Sequence, residues 1–326
     1  MRTKIYFWIL TGLLLLSGLS CEENFSPKTE YKKTYILYCV ESVDIYFHSF
    51  IPSVYLTKTY EYDSNFPAGK NQMPPFVSGA KVILRVDNKV DTLKELLTQG
   101  KYFGGIKYYG GINNRIGVNS KVTITAILPD STVLTTNAVV PEMPAFETSY
   151  PFLHGFTTKF NQWRWGYTWK ITWNEFDEAL FFPKFLLRYY KANSPKNQLE
   201  IEIPMSYQKS GNKSVPIFPT YTRDNSIEYS FNAVDSVMKN ISLGDTNKSS
   251  YIISDFAFQL TVYDKHLANF YSSTNGYLDP YSIRLDETVY TNVSGGMGLF
   301  GFKIEYGCGR EVNKEYAESF GYRKYE

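Results

Sequence analysis

Histidine and acidic residues are the side chains whose types could give this chain catalytic chemistry, and their spacing offers little support for it. The three histidines, His48, His154 and His266, stand far apart. A bound metal usually needs closely spaced ligands, such as two histidines one helical turn apart or a Cys-x₂-Cys pair. Asp177 and Glu178 are adjacent, so we expect them on opposite sides of a strand or turn, which suits two cooperating acids poorly. We therefore predict no catalytic residues, no metal site and no enzyme activity.

A glycine motif near the C-terminus has the wrong context for nucleotide binding. Gly296, Gly298 and Gly301 spell G-x-G-x-x-G, and Glu318 lies near the distance expected of a ribose-binding acid. A dinucleotide-binding fold places this motif after its first strand, with a complete β-α-β unit beyond it. Only 25 residues follow Gly301. We therefore predict no nucleotide and no other cofactor, and we expect the glycines to allow a positive φ or close packing.

The N-terminus has the pattern of a bacterial lipoprotein signal. Two cationic residues precede an apolar run over residues 5–16, and Cys21 follows shortly after it. The run is shorter than the roughly 20 apolar residues that a membrane-spanning helix needs. The segment resembles signals in which the cysteine after the cleavage site is acylated, although Gly18 stands where such signals usually carry leucine. An ordinary secretory signal is the alternative.

This signal predicts how the protein is held at a membrane. We expect residues 1–20 to be removed as a signal peptide, Cys21 to carry the lipid, and residues 21–33 to act as a polar tether. The chain has a formal charge of +2, and loss of Arg2 and Lys4 leaves the mature protein neutral. Lipid, at about 0.8 kcal/mol per buried CH₂, would therefore anchor it in the outer membrane, on a face that stays undetermined. So small a charge argues against nucleic-acid binding.

Two further cysteines, Cys39 and Cys308, lie near opposite ends of the mature chain. An oxidising compartment outside the cytoplasm permits such residues to pair. A disulfide also requires α-carbons within about 7 Å of each other, which the sequence does not reveal. The two residues are therefore a candidate disulfide.

Composition and short alternating segments predict an all-β fold. The chain has 28 tyrosines and 23 phenylalanines, within an aromatic share of 17%, and aromatic residues favour strands over helices. Residues 77–86 and 121–128 each alternate apolar and polar side chains before a turn. This period of two is typical of strands with one buried face.

The predicted organisation is two consecutive antiparallel β-sandwich domains. Pro141 and Pro144 force an extended path between two strand-rich halves, which marks the boundary. We expect an immunoglobulin-like domain over residues 34–143 and a larger sandwich over residues 144–309. A polar, peripheral tail over residues 310–326 would follow.

The clearest strand pattern opens the second half. Large apolar side chains occupy every odd position from Trp163 to Trp173, and polar residues or glycine fill the even positions. Such a ribbon could form an exposed platform for sugar rings or flat apolar ligands. The polar residues at the even positions instead favour a sandwich core, because a strand that exposes one polar face to solvent buries its other face. Trp163, at the end of the ribbon, is the one candidate for a ligand-binding rim.

The glycine-rich segment from Thr291 to Gly301 also resembles part of a known family. It reads Thr-Asn-Val-Ser-Gly-Gly-Met-Gly-Leu-Phe-Gly, similar to the Asn-Ile-x-Gly-Gly-x-Gly-x-Phe-Gly ending of the Bacteroidetes lipoproteins grouped as domain of unknown function 4249. The lipoprotein signal, the Val-Ser-Gly-Ala segment at residues 77–80 and the Val-Pro junction at residues 140–141 agree with it. The resemblance covers nearly the whole mature chain. It implies a cell-envelope lipoprotein associated with TonB-dependent outer-membrane receptors, and it brings no catalytic residues.

Together these features predict a lipid-anchored envelope protein of binding or accessory type, linked to uptake through a TonB-dependent receptor. Two alternatives stay open. One is an extracellular hydrolase or glycan-binding protein, and the other is a structural or adhesive surface protein. A deep pocket with two facing carboxylates would favour hydrolysis, whereas a flat apolar patch of several hundred Å² would favour a protein partner.

Overall fold

Strands dominate the part of the chain that the computed structural model describes. The described residues are 33–44, 46, 48–59, 75–98, 105–111, 114–146, 168–274 and 290–325. From Thr34 onward they belong to one compact unit. The predicted signal peptide, the lipid-attachment residue Cys21 and the rim candidate Trp163 lie outside the described residues. None of the helices within these ranges is long and apolar enough to cross a membrane.

The described ranges contain strands in both halves of the chain, with three helices confined to the second half. The strands are β1 Tyr35–Val43, β2 Ser49–Phe50, β3 Ser53–Lys58, β4 Lys81–Val86, β5 Lys89–Leu97, β6 Lys107–Gly110, β7 Asn114–Arg115, β8 Lys121–Ile127, β9 Val133–Val139, β10 Thr168–Thr172, β11 Leu180–Lys191, β12 Ser194–Glu202, β13 Ser206–Ser210, β14 Lys213–Ile217, β15 Ser226–Ser230, β16 Tyr251–Tyr263, β17 Met297–Glu311 and β18 Arg323–Lys324. The helices are α1 Phe231–Asn240, α2 Lys265–Thr274 and α3 Lys314–Glu318.

Twelve of these strands form one sheet, which confirms the all-β prediction. Their order is β12-β11-β16-β17-β1-β3-β6-β5-β4-β8-β9, with β18 beside β16. Pairing is antiparallel except for β1 with β17 and β16 with β18, which are parallel. The remaining described strands pair as β10-β15, β13-β14 and β2-β7. The sheet therefore passes from the second half of the chain into the first through β17.

The first half builds its hydrophobic core from the alternation seen in the sequence. Strands β4 and β8 are antiparallel neighbours, and their inward residues are buried. The facing pairs are Val82–Ala126, Leu84–Ile124 and Val86–Val122. Strand β17, from the far end of the chain, adds Phe300, Phe302 and Ile304 to the same core. The first core is thus completed by residues beyond the predicted domain boundary.

The second core lies between β11 and β16 of the large sheet and the separate β10-β15 ribbon. Trp169, Ile171 and Trp173 are buried, while Thr168 and Lys170 are exposed. The described part of the aromatic segment, residues 168–173, therefore has one buried face and one exposed face, as predicted. It is an inner face of a sandwich and not an exposed ligand platform.

Aromatic rings fill the space between these two layers. Phe185 of β11 contacts Trp169 edge to face at 4.9 Å between ring centroids. Phe181, on the same face of β11, contacts Trp173 at 5.4 Å. Such edge-to-face pairs add to the stability that burial of the rings supplies.

The C-terminal segment is not the peripheral tail that its charged composition suggested. Helix α3 and the residues on either side of it place five apolar side chains in the second core. These are Val312, Tyr316, Ala317, Phe320 and Tyr322. Their charged neighbours face outward, so the composition of the whole segment concealed a buried stripe.

The candidate disulfide between Cys39 and Cys308 is ruled out by strand register. Cys39 of β1 lies opposite Phe300 of β17. Cys308 lies eight residues farther along the same strand, which is about 26 Å at roughly 3.3 Å per residue. A disulfide needs α-carbons within about 7 Å. The two cysteines are therefore far too distant to pair with each other.

Cys39 instead accompanies a buried acid. Glu41, two residues along β1, accepts hydrogen bonds through Oε1 from the Ser53 backbone N–H at 2.6 Å and from the Cys39 thiol at 3.4 Å. Both side chains are buried. Burial raises the pKa of Glu41 from 4.5 to about 7, because a charged carboxylate is poorly solvated there,.

This buried acid predicts a pH-dependent stability. A raised pKa in the folded state means that the contribution of Glu41 is complete below about pH 4.5 and is lost as pH rises through about 7,. We expect Glu41 to lower the free energy of unfolding over this interval by on the order of 3 kcal/mol, at 1.36 kcal/mol per pKa unit. Urea unfolding at a series of pH values measures the decrease.

The Glu41→Gln variant should lose that part of the pH dependence, because its amide stays neutral and can still accept the bond from Ser53. Glu228→Gln, the same change at an exposed site on β15, is the matched control and should leave the pH profile intact. Identical profiles for the two variants would contradict the assignment.

Candidate functional site

A pocket of about 490 Å³ lies beside the Val-Pro junction between the two halves. Its lining comes from separate stretches of the chain, at residues 119, 139–142, 175–179 and 263–266. We call it the junction pocket. Several acidic side chains, one lysine and one histidine line it together with apolar residues.

Asp264 is a buried acid of the junction pocket, and it accepts two backbone hydrogen bonds. It stands between β16 and α2, and its Oδ1 accepts the Leu267 backbone N–H at 2.8 Å, as a helix N-cap does,. Its Oδ2 accepts the Phe302 backbone N–H of β17 at 2.9 Å. The side chain therefore ties α2 to the large sheet. Burial raises the pKa of Asp264 to about 7, against the opposing effect of these N–H donors,.

The glycine motif of the sequence explains how α2 can approach the sheet so closely. A Cβ at Gly301 would stand 2.6 Å from Leu267 Cγ and 2.8 Å from Asp264 Oδ1. A Cβ at Gly298, where φ is +133°, would stand 1.8 Å from the Leu37 carbonyl oxygen. The expectation of positive φ and close packing is therefore confirmed at these two positions.

His266 is the functional candidate that the spacing of histidines did not reveal. Its Nδ1 lies 2.7 Å from the Tyr290 hydroxyl. Burial and the neighbouring Lys265 lower the pKa of the imidazole, which favours its neutral form,. Of the other two histidines, His48 lies in a turn with a positive φ, and His154 is outside the described residues. Tertiary structure, and not a spacing in the sequence, places His266 at the junction pocket.

The remaining acids occupy the side of the pocket next to solvent. Glu142 accepts a bond from the Asn119 amide at 2.9 Å, and Glu178 forms an ion pair with Lys265 at 2.7 Å. Asp177 lies in the same turn as Glu178, and both line the pocket. A turn therefore carries both acids to the same pocket, which their adjacency in the sequence did not reveal.

The titratable side chains of the junction pocket are held by contacts within the protein. Glu142, Glu178, Asp264 and His266 each have a hydrogen-bond or ion-pair partner within the protein. These contacts fix the four side chains as parts of the pocket wall. Over the described ranges, no group of three or more His, Cys, Asp and Glu residues is arranged to hold a metal ion.

The two candidate disulfide cysteines do not line this pocket, whereas Asp177, Glu178 and His266 do. Cys39 is buried in the first core, and Cys308 lies on β17 beside the second core. Cys21 and Trp163 fall outside the described residues. Comparison of the chain with protein-family models, with curated proteins and with solved structures finds no match in any of the three.

The double acceptor role of Asp264 can be tested by removing one acceptor. In Asp264→Asn one oxygen becomes an NH₂ group, so a backbone N–H of Leu267 or Phe302 would face a donor. We expect a loss of about 1–3 kcal/mol in the free energy of unfolding, the cost of leaving a buried donor without an acceptor. Urea unfolding at about pH 5, below the raised pKa of the carboxyl, measures this loss without the opposing cost of a buried charge,.

Asp177→Asn makes the same chemical change at an exposed position of the same pocket. It should alter stability by no more than about 0.5 kcal/mol. Equal losses in the two variants would show that Asp264 has no special part in holding α2 to the sheet.

Proposed function

We propose that this protein is a lipid-anchored cell-envelope protein that binds a ligand or partner without chemically changing it. The cationic start, the short apolar run and Cys21 support the anchor. Two or three acyl chains on one cysteine would hold the protein on a bilayer almost permanently, since each buried CH₂ contributes about 0.8 kcal/mol. The proposed location is the outer membrane.

The observation that carries the non-catalytic proposal is the state of the titratable groups in the junction pocket. His266 is bonded to Tyr290, and Asp264 is bonded to two backbone N–H groups. These groups support the pocket walls, and a bound ligand would meet a preorganised surface.

The resemblance to the lipoproteins of domain of unknown function 4249 supports a place beside a TonB-dependent receptor. It rests on the motif at residues 291–301 and on the lipoprotein signal. On this proposal the protein is an accessory in uptake across the outer membrane, and the receptor is its protein partner.

An extracellular hydrolase is the second candidate, and one observation favours it. Glu175 and Asp177 are exposed carboxylates at the junction pocket, where a substrate could reach both. In a hydrolase, Glu175→Gln or Asp177→Asn would abolish turnover of the substrate. In a binding protein the same variants would at most weaken binding.

Release from the membrane tests the anchor. Changing Cys21 to serine removes the thiol that would be acylated, so we expect the variant to move from the membrane fraction to the soluble fraction. Immunoblots of fractionated cells measure the shift. Cys308→Ser changes a cysteine that the structure places on β17, and it should stay with the membrane. Continued membrane retention of Cys21→Ser would contradict lipid anchoring.

Co-purification tests the partner. We expect the full chain, tagged at its C-terminus and extracted from outer membranes in mild detergent, to retain a TonB-dependent receptor in a fixed ratio that mass spectrometry identifies. Recovery of the protein without any receptor would contradict the accessory function. Cleavage of glycan or peptide substrates, lost in Asp177→Asn, would replace it with the hydrolase.

A further inference from the structure

A second recess lies on the face of the large sheet that points away from the second core. Phe256, Phe258 and Leu260 of β16 are buried in that core, so the alternate residues Ala257 and Gln259 face the other side. There a trough of about 370 Å³ crosses β11, β16 and β17. We call it the outer trough.

Strand register explains why the sheet is recessed at this place. Lys184, Gln259 and Gly307 lie side by side across the three strands. In the next row, Ala257 lies beside Gly309. Ala257, Gly307 and Gly309 therefore form a floor of small residues across β16 and β17, which lie about 5 Å apart, and the longer Lys184 and Gln259 side chains border it,.

The glycines of this floor are costly for a strand, because they lack a side chain to pack and lose more entropy on folding. At Gly309 a Cβ would come 3.0 Å from Asp255 Oδ2, so this glycine leaves room for the ion pair between Asp255 and Arg188. Both Gly307 and Gly309 are exposed. A strand glycine of this kind commonly marks a place where another molecule approaches the backbone closely.

Aromatic rings stand on opposite sides of the floor. Phe182 of β11 packs against Tyr221 at 5.0 Å between centroids, and Lys184 Nζ lies 5.3 Å from the Phe182 ring centre. Beyond β17, Tyr46 lines the other side. Its backbone N–H bonds to Asp44 Oδ1 at 2.9 Å, yet its side chain is 80% exposed. So large an exposed ring beside a recess is available for stacking.

The charges around the outer trough are balanced within the protein. Arg188 pairs with Glu200 at 3.0 Å and with Asp255 at 3.4 Å. Glu305 pairs with Lys303 at 2.7 Å. With Lys184 counted as well, three cationic and three anionic side chains border the outer trough, so it has no net charge to select a charged ligand.

What the lining does offer is a set of neutral hydrogen-bonding groups, together with one ammonium. The Gln259 amide both donates and accepts, as does the Thr261 hydroxyl, and Lys184 donates,. The hydroxyl groups of a ligand both donate and accept hydrogen bonds, so they need both kinds of partner. The apolar face of a sugar ring can stack on a tyrosine ring. This combination is the chemistry of an uncharged, polyhydroxylated ligand.

We propose that the outer trough binds a neutral oligosaccharide, with Tyr46 stacked on one sugar ring and with Gln259 and Lys184 hydrogen-bonded to its hydroxyls. This inference deepens the proposed binding function and rests on it, since it names the class of ligand. It does not depend on the membrane anchor or on the receptor.

Titration calorimetry on the detergent-solubilised full chain tests the inference. The probes are maltohexaose, cellohexaose and chitohexaose, with a hexamer of galacturonic acid as the charged comparison. We expect at least one neutral hexaose to bind with a Kd below about 1 mM. Tyr46→Ala should weaken that binding by about tenfold or more, and Gln259→Ala by about threefold or more.

Matched controls come from the exposed β13-β14 hairpin. Tyr207→Ala and Gln208→Ala make the same changes there, and both should bind within about twofold of the unaltered protein. Because Tyr46 is so exposed, Tyr46→Ala should keep the urea midpoint of the unaltered protein, so loss of binding would not reflect unfolding.

Three outcomes would overturn the inference. They are no binding of any neutral hexaose at about 10 mM, tighter binding of the acidic hexamer, and sugar binding that Tyr46→Ala leaves unchanged. A receptor that still co-purifies alongside any of these results would leave the proposed accessory function standing. If the protein binds a neutral hexaose but no receptor co-purifies with it, the accessory function is overturned and the proposed sugar site stands.

Discussion

Strand β17 is the constraint on which the rest of the fold depends, because it pairs along most of its length with strands from both halves. Its first part runs parallel to β1, from Met297 opposite Ile36 onward, and its later part runs antiparallel to β16. Phe300 and Phe302 complete the first core, and the chain just beyond β17 enters the second. Both cores therefore depend on β17 and on the residues directly after it. Parallel pairing of strands this distant in sequence closes a very long loop, and the burial in both cores must offset the conformational entropy that this closure costs.

The parts of the fold that could be predicted are those in which local alternation decides burial. Strands β4 and β8 and the described end of the aromatic ribbon follow the period of two, because one face of each is packed and the other is solvated. The pairing of β17 with β1 leaves no such local signal, which is why two consecutive domains were the natural expectation. The C-terminal segment did contain a signal that its charge concealed. Val312, Tyr316 and Phe320 recur every four residues, the spacing of an amphipathic helical face.

The junction pocket was beyond sequence reasoning for a different reason. Its lining comes from separate segments, and no two of its functional groups have a spacing that a motif could report. His266 stands two residues after Asp264, and what brings both into the pocket is the cap of α2 and its bond to Phe302. A short polar side chain before an amphipathic stretch predicts a helix start, so the Asp264 cap was accessible in principle. The partner strand that buries the same carboxylate was not.

Glycines on one face of β17 connect the two candidate sites. Positions 301, 307 and 309 all point away from the first and second cores, since alternate residues of a strand share a face. At Gly301 the missing side chain is replaced by Leu267 and Asp264 of the protein itself, so the recess is filled and α2 is held. At Gly307 and Gly309 the surface stays open as the outer trough. Glycine on this face thus allows close packing of α2 near the start of β17 and leaves the surface accessible to a ligand near its end. What separates the two roles is whether a neighbouring element of the chain covers the glycine, and that depends on tertiary structure and not on the motif.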